Sequence, residues 1–136
     1  MLVSQKAEVS TEFIAFLGIL LLFFVFFVGI IGMKTNDINE STVYTSANNI
    51  LDTVVNEINT ASRIDGYHRE FFIPEKLTDG EDYNITIYND LRMIKIEWNQ
   101  GKNLMSNIQT NNTQGNITGG TNTIRRENGM VKINES

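Results

Sequence analysis

The sequence predicts an α+β fold: a long N-terminal α-helix, apolar in its first half, with a small C-terminal antiparallel β-sheet packed on its second half. Three observations predict it. Residues Phe13 to Met33 read FIAFLGILLLFFVFFVGIIGM without a charge. Apolar residues then recur at Val43, Ala47, Ile50, Val54, Ile58 and Ala61, in helical steps of three and four. Two later segments alternate apolar and polar residues around turn signals, as half-buried strands do. The 136 residues have room for one domain, and about a fifth of them are not available to a soluble core.

The apolar run is about 21 residues, long enough as a helix to cross a hydrocarbon layer of about 30 Å. It therefore enters a membrane, with three possible fates: a permanent single-pass anchor, an ordinary cleaved secretory signal, or a helix that leaves the bilayer when its subunit is assembled. An ordinary signal has an apolar stretch of about 7 to 15 residues before a small-x-small cut, and this run is longer with a poor match at GIIGMK. The flank before the run is Lys6, Ala7, Glu8, Val9, Ser10, Thr11 and Glu12. Glu12 has a bland role open to it, complementing the positive end of the helix dipole for about 0.3–1 kcal/mol. Buried inside a protein assembly without a partner, its carboxylate costs several kcal/mol. A cut between Ala7 and Glu8 creates such a partner, because the new α-amino group of Glu8 lies one helical turn from Glu12. Loss of Lys6 also takes the formal side-chain charge from −5 to −6.

A basic residue, a small residue, a polar residue and then V-S-x-E-F running into an apolar helix resembles the class III signal peptide of archaeal type IV pilins. The resemblance implies cleavage by a prepilin peptidase at Lys6-Ala7-Glu8 and makes Glu12 the fifth mature residue, where pilins carry their assembly Glu. Here Glu8 stands where Gln is usual and Ala7 where Gly is commoner. The implied parts are a leader (1–7), an apolar membrane or filament-core helix (8–33), its amphipathic continuation (34–63) and an extracellular β-domain (64–136). The implied protein is a structural subunit of a cell-surface filament, a major or minor pilin used in adhesion. Its precursor sits in the cytoplasmic membrane. Its partners are further copies or other pilins, the peptidase, and the membrane protein and ATPase of pilus assembly. Two rivals remain: a membrane-anchored extracellular binding protein that never polymerises, and a subunit of the archaeal swimming filament.

Leu51 and Val55 widen the stripe from Val43 to Ala61, giving a helix from about Val9 to Arg63, roughly 80 Å long at 1.5 Å per residue. Gly29, Gly32 and the cluster from Thr35 to Asn39 are where it would bend or melt. Gly66 and Pro74, the only proline, mark the helix exit and a short extended stretch. A hairpin follows. With a two-residue loop at Asn89-Asp90, Ile85 falls opposite Ile94, Tyr83 opposite Ile96 and Ile87 opposite Arg92. A second hairpin turns at Asn128-Gly129, with Ile124 opposite Ile133 and Arg126 opposite Val131. Between them, residues 99–123 are rich in Asn, Gly, Thr and Gln and read as a long surface loop. FFIP, the first hairpin and NGMVKI also look like the short C-terminal domains of archaeal proteins with this leader.

Five Asn-x-Ser/Thr sequons, at Asn39, Asn84, Asn111, Asn116 and Asn134, all follow the apolar run, which agrees with an extracellular C-terminal part. The flanking Lys6 and Lys34 barely set orientation. A net charge of −5 offers no field for nucleic acid, and zero Cys excludes disulfides and thiolate metal sites. No catalytic, cofactor or metal motif is present: His68 is the only histidine, and Asp37/Glu40 and Glu81/Asp82 lack the ligands and glycine of a calcium loop. The expected protein is not an enzyme. Tyr83, Tyr88 and Trp98 could stack on a ligand, although strand alternation assigns some of them to the core.

Overall fold

The computed structural model describes residues 2–135, with side chains described at 11–33, 39–99 and 101–135. The chain divides into two compact units, Met1–Glu40 and Ser41–Ser136. Helix α1, Leu2–Arg63, supplies all of the first unit's described residues and begins the second. It starts earlier than the sequence suggests, so residues 2–7 are helical too. It also stays helical through Gly29, Gly32 and residues 35–39, so the helix does not melt there. A helix-interior glycine costs only about 1 kcal/mol relative to alanine. The first 63 residues hold no proline to remove a backbone hydrogen bond.

In the second unit the sequence stripe is the buried face. Val43, Ala47, Ile50, Leu51, Val54, Val55, Ile58 and Ala61 are all buried, in one core cluster with side chains from the strands. The fold is α+β, with a small, mainly antiparallel β-structure packed on the second half of the helix.

Seven strands follow: β1 (His68–Ile73), β2 (Tyr83–Tyr88), β3 (Met93–Trp98), β4 (Lys102–Asn107), β5 (Thr113–Gly115), β6 (Gly120–Glu127) and β7 (Met130–Ile133). They form two sheets, one ordered β1-β6-β7-β5 and one ordered β2-β3-β4; β5 and β7 are the one parallel pair among them. Trp98 is buried at the end of β3 and meets the Tyr44 ring edge-on, with centroids 5.1 Å apart.

The second hairpin has the register its turn dictates, Ile124 opposite Ile133 and Arg126 opposite Val131. Asn128 and Gly129 both adopt positive φ (50° and 77°), the conformation that a two-residue hairpin turn needs. The first hairpin differs from expectation by two residues. Its loop is Asn89–Arg92, closed by the Arg92 amide donating to the Asn89 carbonyl at 3.1 Å. Ile85 therefore faces Ile96, Ile87 faces Ile94 and Tyr83 faces Trp98. A shift of two keeps every side chain on its face. It replaces the unfavourable Ile87–Arg92 pair with an all-apolar row, and that gain selects the longer loop.

Residues 99–123 are not one long loop. They contain β4, β5 and the start of β6, after a 3-10 turn at Asn99–Gly101. β4 is an edge strand held by backbone pairing to β3, and Leu104 is its only apolar residue facing the core, beside Lys102 and Ser106. Such a strand leaves little apolar signature in a sequence.

A buried asparagine clips the end of the chain. Asn122 is fully buried, and its Nδ2 donates to the carbonyls of Thr118 (2.7 Å) and Gly120 (3.2 Å). Its Oδ1 accepts from the Thr118 amide (3.0 Å) and from Asn134 Nδ2 (2.7 Å). Asn134 Nδ2 also donates to the Asn116 carbonyl, and its Oδ1 accepts from the Thr123 amide. Full pairing is what allows a polar side chain to sit in this core.

Candidate functional site

Lys6, Ala7 and Glu8 lie in the first turns of α1, and their side chains fall outside the described residues. Glu12 is exposed. Positions 8 and 12 are one turn apart on the helix, a spacing that brings side chains to neighbouring places on one face.

Every large apolar side chain from Phe13 to Met33 is exposed, none of them below 41%. Thr11–Met33 is long and apolar enough to cross a membrane. From Glu12, steps of four, three, four, three and four lead to Phe16, Ile19, Phe23, Phe26 and Ile30. Glu12 thus heads a continuous apolar line of the helix. Ile19, Phe23 and Phe26 of that line, with Leu22, form a shallow open groove of about 300 Å³. A different line carries Ala15, Gly18, Leu22, Val25, Gly29 and Gly32, and a β-carbon added at any of these three glycines would meet open space. Small residues at such spacing let another helix backbone come close. The sequence reading missed both lines because it took the run as uniformly apolar; reading it at helical period would have found them.

The five sequons all present exposed asparagines, but in different settings. Asn39 lies in α1, Asn84 in β2, Asn111 before β5, Asn116 after β5 and Asn134 after β7. Only at Asn134, among these five, are both amide atoms drawn into the network around Asn122.

The remaining polar clusters are structural. Glu57 accepts from the Tyr67 hydroxyl at 2.8 Å and pairs with Arg69 at 3.1 Å. Burial, then the Glu57 carboxylate, raises the Tyr67 phenol above its ordinary value. Glu127 bridges Lys132 (2.9 Å) and Arg125 (3.6 Å); the Lys132 hydrogen bond, then the Arg125 charge, holds its carboxyl below the usual value. Asp82 pairs with Lys76 at 3.1 Å, and the side chain of Asp37 lies outside the described residues. His68 is exposed at the start of β1. Among the described residues, no three His, Cys, Asp or Glu side chains converge to hold a metal. Tyr83 donates its hydroxyl to the Pro74 carbonyl and packs against the core, leaving Tyr88 as the exposed member of the three aromatic candidates.

No family model, curated protein or solved structure matches the chain. The functional reading therefore rests on the helix and its flank.

Proposed function

We propose that the chain is the precursor of an archaeal type IV pilin-like subunit, cut between Ala7 and Glu8 and polymerised through its N-terminal helix. The observation that carries the reading is the placement of Glu12 at the head of the apolar line Phe16, Ile19, Phe23, Phe26 and Ile30, one helical turn after the segment Lys6-Ala7-Glu8. In the bilayer that line faces lipid and Glu12 stays at head-group level. In a filament the same line packs against neighbouring helices, and Glu12 is drawn in with it. A buried, uncompensated carboxylate is strongly unfavourable, so assembly needs a cation at that depth. The α-amino group of a cut Glu8 supplies one, in the same or an adjacent subunit. Cleavage then acts as the licence for assembly, because the intact precursor has a peptide amide there and no charge.

The small residues Ala15 and Gly18 near one end of the run, and Gly29 and Gly32 near the other, leave room for close helix packing. The β-unit, with its polar exposed edges, forms the outer surface and the contact layer for adhesion. The apolar helix alone would equally serve a permanent anchor, and Glu12 separates the two. Glu12→Ala is expected to leave leader removal intact and to lower filament yield at least about tenfold, an energy of about 1.4 kcal/mol per added subunit. Normal filaments from that variant would return Glu12 to its dipole role and remove the main support for polymerisation.

A further inference from the structure

We propose that the cleft between the free edges of β2 and β5 is covered by N-linked glycan carried on Asn84 and Asn116, and that Asn134 stays unmodified. The proposal rests on the reading above only in placing the second unit outside the membrane. β2 is an edge of one sheet and β5 an edge of the other. Between them lies an open cleft of about 630 Å³, lined on one side by residues of β2 and on the other by β5 and the residues after it. Asn89 closes one end by donating to the Thr113 carbonyl and accepting from the Thr113 amide.

The two sides carry the same tripeptide, Asn84-Ile85-Thr86 and Asn116-Ile117-Thr118. In both, the isoleucine is buried in the core, which anchors the backbone. In both, the asparagine is exposed. Asn84 Nδ2 lies 3.5 Å from Thr86 Oγ1, the hydroxyl of its own sequon, and Thr118 is exposed after Asn116. The cleft thus presents one exposed acceptor asparagine on each side.

Asn134 differs. Its Nδ2 is committed to the Asn116 carbonyl and Asn122 Oδ1, at 2.9 and 2.7 Å. Replacing an Nδ2 hydrogen with a sugar there would break the clip around the fully buried Asn122. At Asn111 the sequon threonine, Thr113, is itself buried against β7. Asn39 lies in α1 and is not among the residues that line the cleft.

The chemistry requires a lipid-phosphate-linked oligosaccharide and a membrane transferase. The asparagine Nδ2 attacks the anomeric C1, forming the N–C1 bond. The C1–O bond breaks with its electron pair leaving on the phosphate, and the displaced Nδ2 proton passes to a base of the transferase. What the protein gains is edge protection. Unpaired strand edges template association with other chains, and a bulky hydrophilic group blocks that approach. On a surface crowded with other copies the protection matters most.

The test is glycopeptide mass spectrometry of the full chain isolated from its own cells. Glycan is expected on the peptides holding Asn84 and Asn116, with the Asn134 peptide bare. The double variant Asn84→Gln/Asn116→Gln is expected to lose that mass and to self-associate more readily in sedimentation. Bare Asn84 and Asn116, or a glycan on Asn134, would overturn the proposal, as would a double variant with unchanged sedimentation for its protective part. The same digest reads the N-terminus. Glycosylated cleft peptides beside an intact Met1 peptide would sink the filament reading alone, and a Glu8 N-terminus with a bare cleft would sink the sugar proposal alone.

Discussion

Replacing Asn122 with alanine is expected to unfasten the C-terminal end of the β-unit without touching the helix. The substitution deletes four hydrogen bonds: Nδ2 to the Thr118 and Gly120 carbonyls, and the Thr118 amide and Asn134 Nδ2 to Oδ1. At about 0.5–1.5 kcal/mol net for each bond, the loss spans about 2–6 kcal/mol. The Thr118, Gly120 and Asn134 groups regain some water when the segment loosens, which places the expected value near the lower end, at about 3 kcal/mol. For a domain of this size each kcal/mol moves the melting temperature by about 4–8 °C, so the drop should be about 12–24 °C. The assay is thermal unfolding of the full chain in detergent, followed by the near-ultraviolet signal of Trp98, which is buried in the same core. No titrating group is lost, so the drop should be the same at pH 5 and pH 8. Gln114→Ala, which removes only an exposed side chain, should fall within about 0.5 kcal/mol of the parent. A drop below about 4 °C for Asn122→Ala would mean that the clip is dispensable and that the core holds the C-terminus unaided.

Three further outcomes are expected. Ala7→Phe should leave the full-length precursor in membranes, read as a mass including residues 1–7; undiminished processing would mean the cut lies elsewhere. Gly115→Ala should destabilise the second unit by at least about 2 kcal/mol, because Gly115 has φ of 99° and a β-carbon would run into the Ile133 carbonyl of the paired strand; parent-like urea unfolding would refute that. Glu127 has a carboxyl held below its ordinary value of 4.5, chiefly by Lys132. Its contribution to stability is therefore present above that value and lost as pH falls below it. Glu127→Gln should lower stability at pH 7, where the ion pair is intact, do little well below about pH 4.5 and so flatten the acid limb of a stability-versus-pH curve, whereas an unchanged acid limb would contradict the ion pair's role.

Where burial follows a period, the sequence is a direct guide. All eight residues of the stripe from Val43 to Ala61 are buried, and the Asn128-Gly129 turn sets its hairpin register because two positive φ values suit those residues and few others. The first hairpin was legible in its faces but not its register. Side-chain alternation has period two, so pairings two residues apart bury the same face and only the Tyr83–Trp98 and Ile87–Ile94 pairs decide. β4 and β5 were hidden because edge strands take their stability from backbone pairing to β3 and β7, with few apolar side chains to mark them. Asn122 was equally silent, since an asparagine among seventeen gives no sign of which one will be buried. At the N-terminus, Lys6 to Glu12 could be singled out by eye, but their link to the face bearing Phe16, Phe23 and Ile30 emerges only when positions are placed on one helix.

The central claim is that cleavage before Glu8 creates the cation that lets Glu12 enter a filament. Filaments sheared from cells and examined by intact-mass and N-terminal peptide mass spectrometry test it most directly. The account predicts a sheared fraction whose chains begin at Glu8 and lack residues 1–7. Chains that retain Met1 and stay wholly in the membrane fraction would contradict it and leave the apolar helix as a permanent anchor.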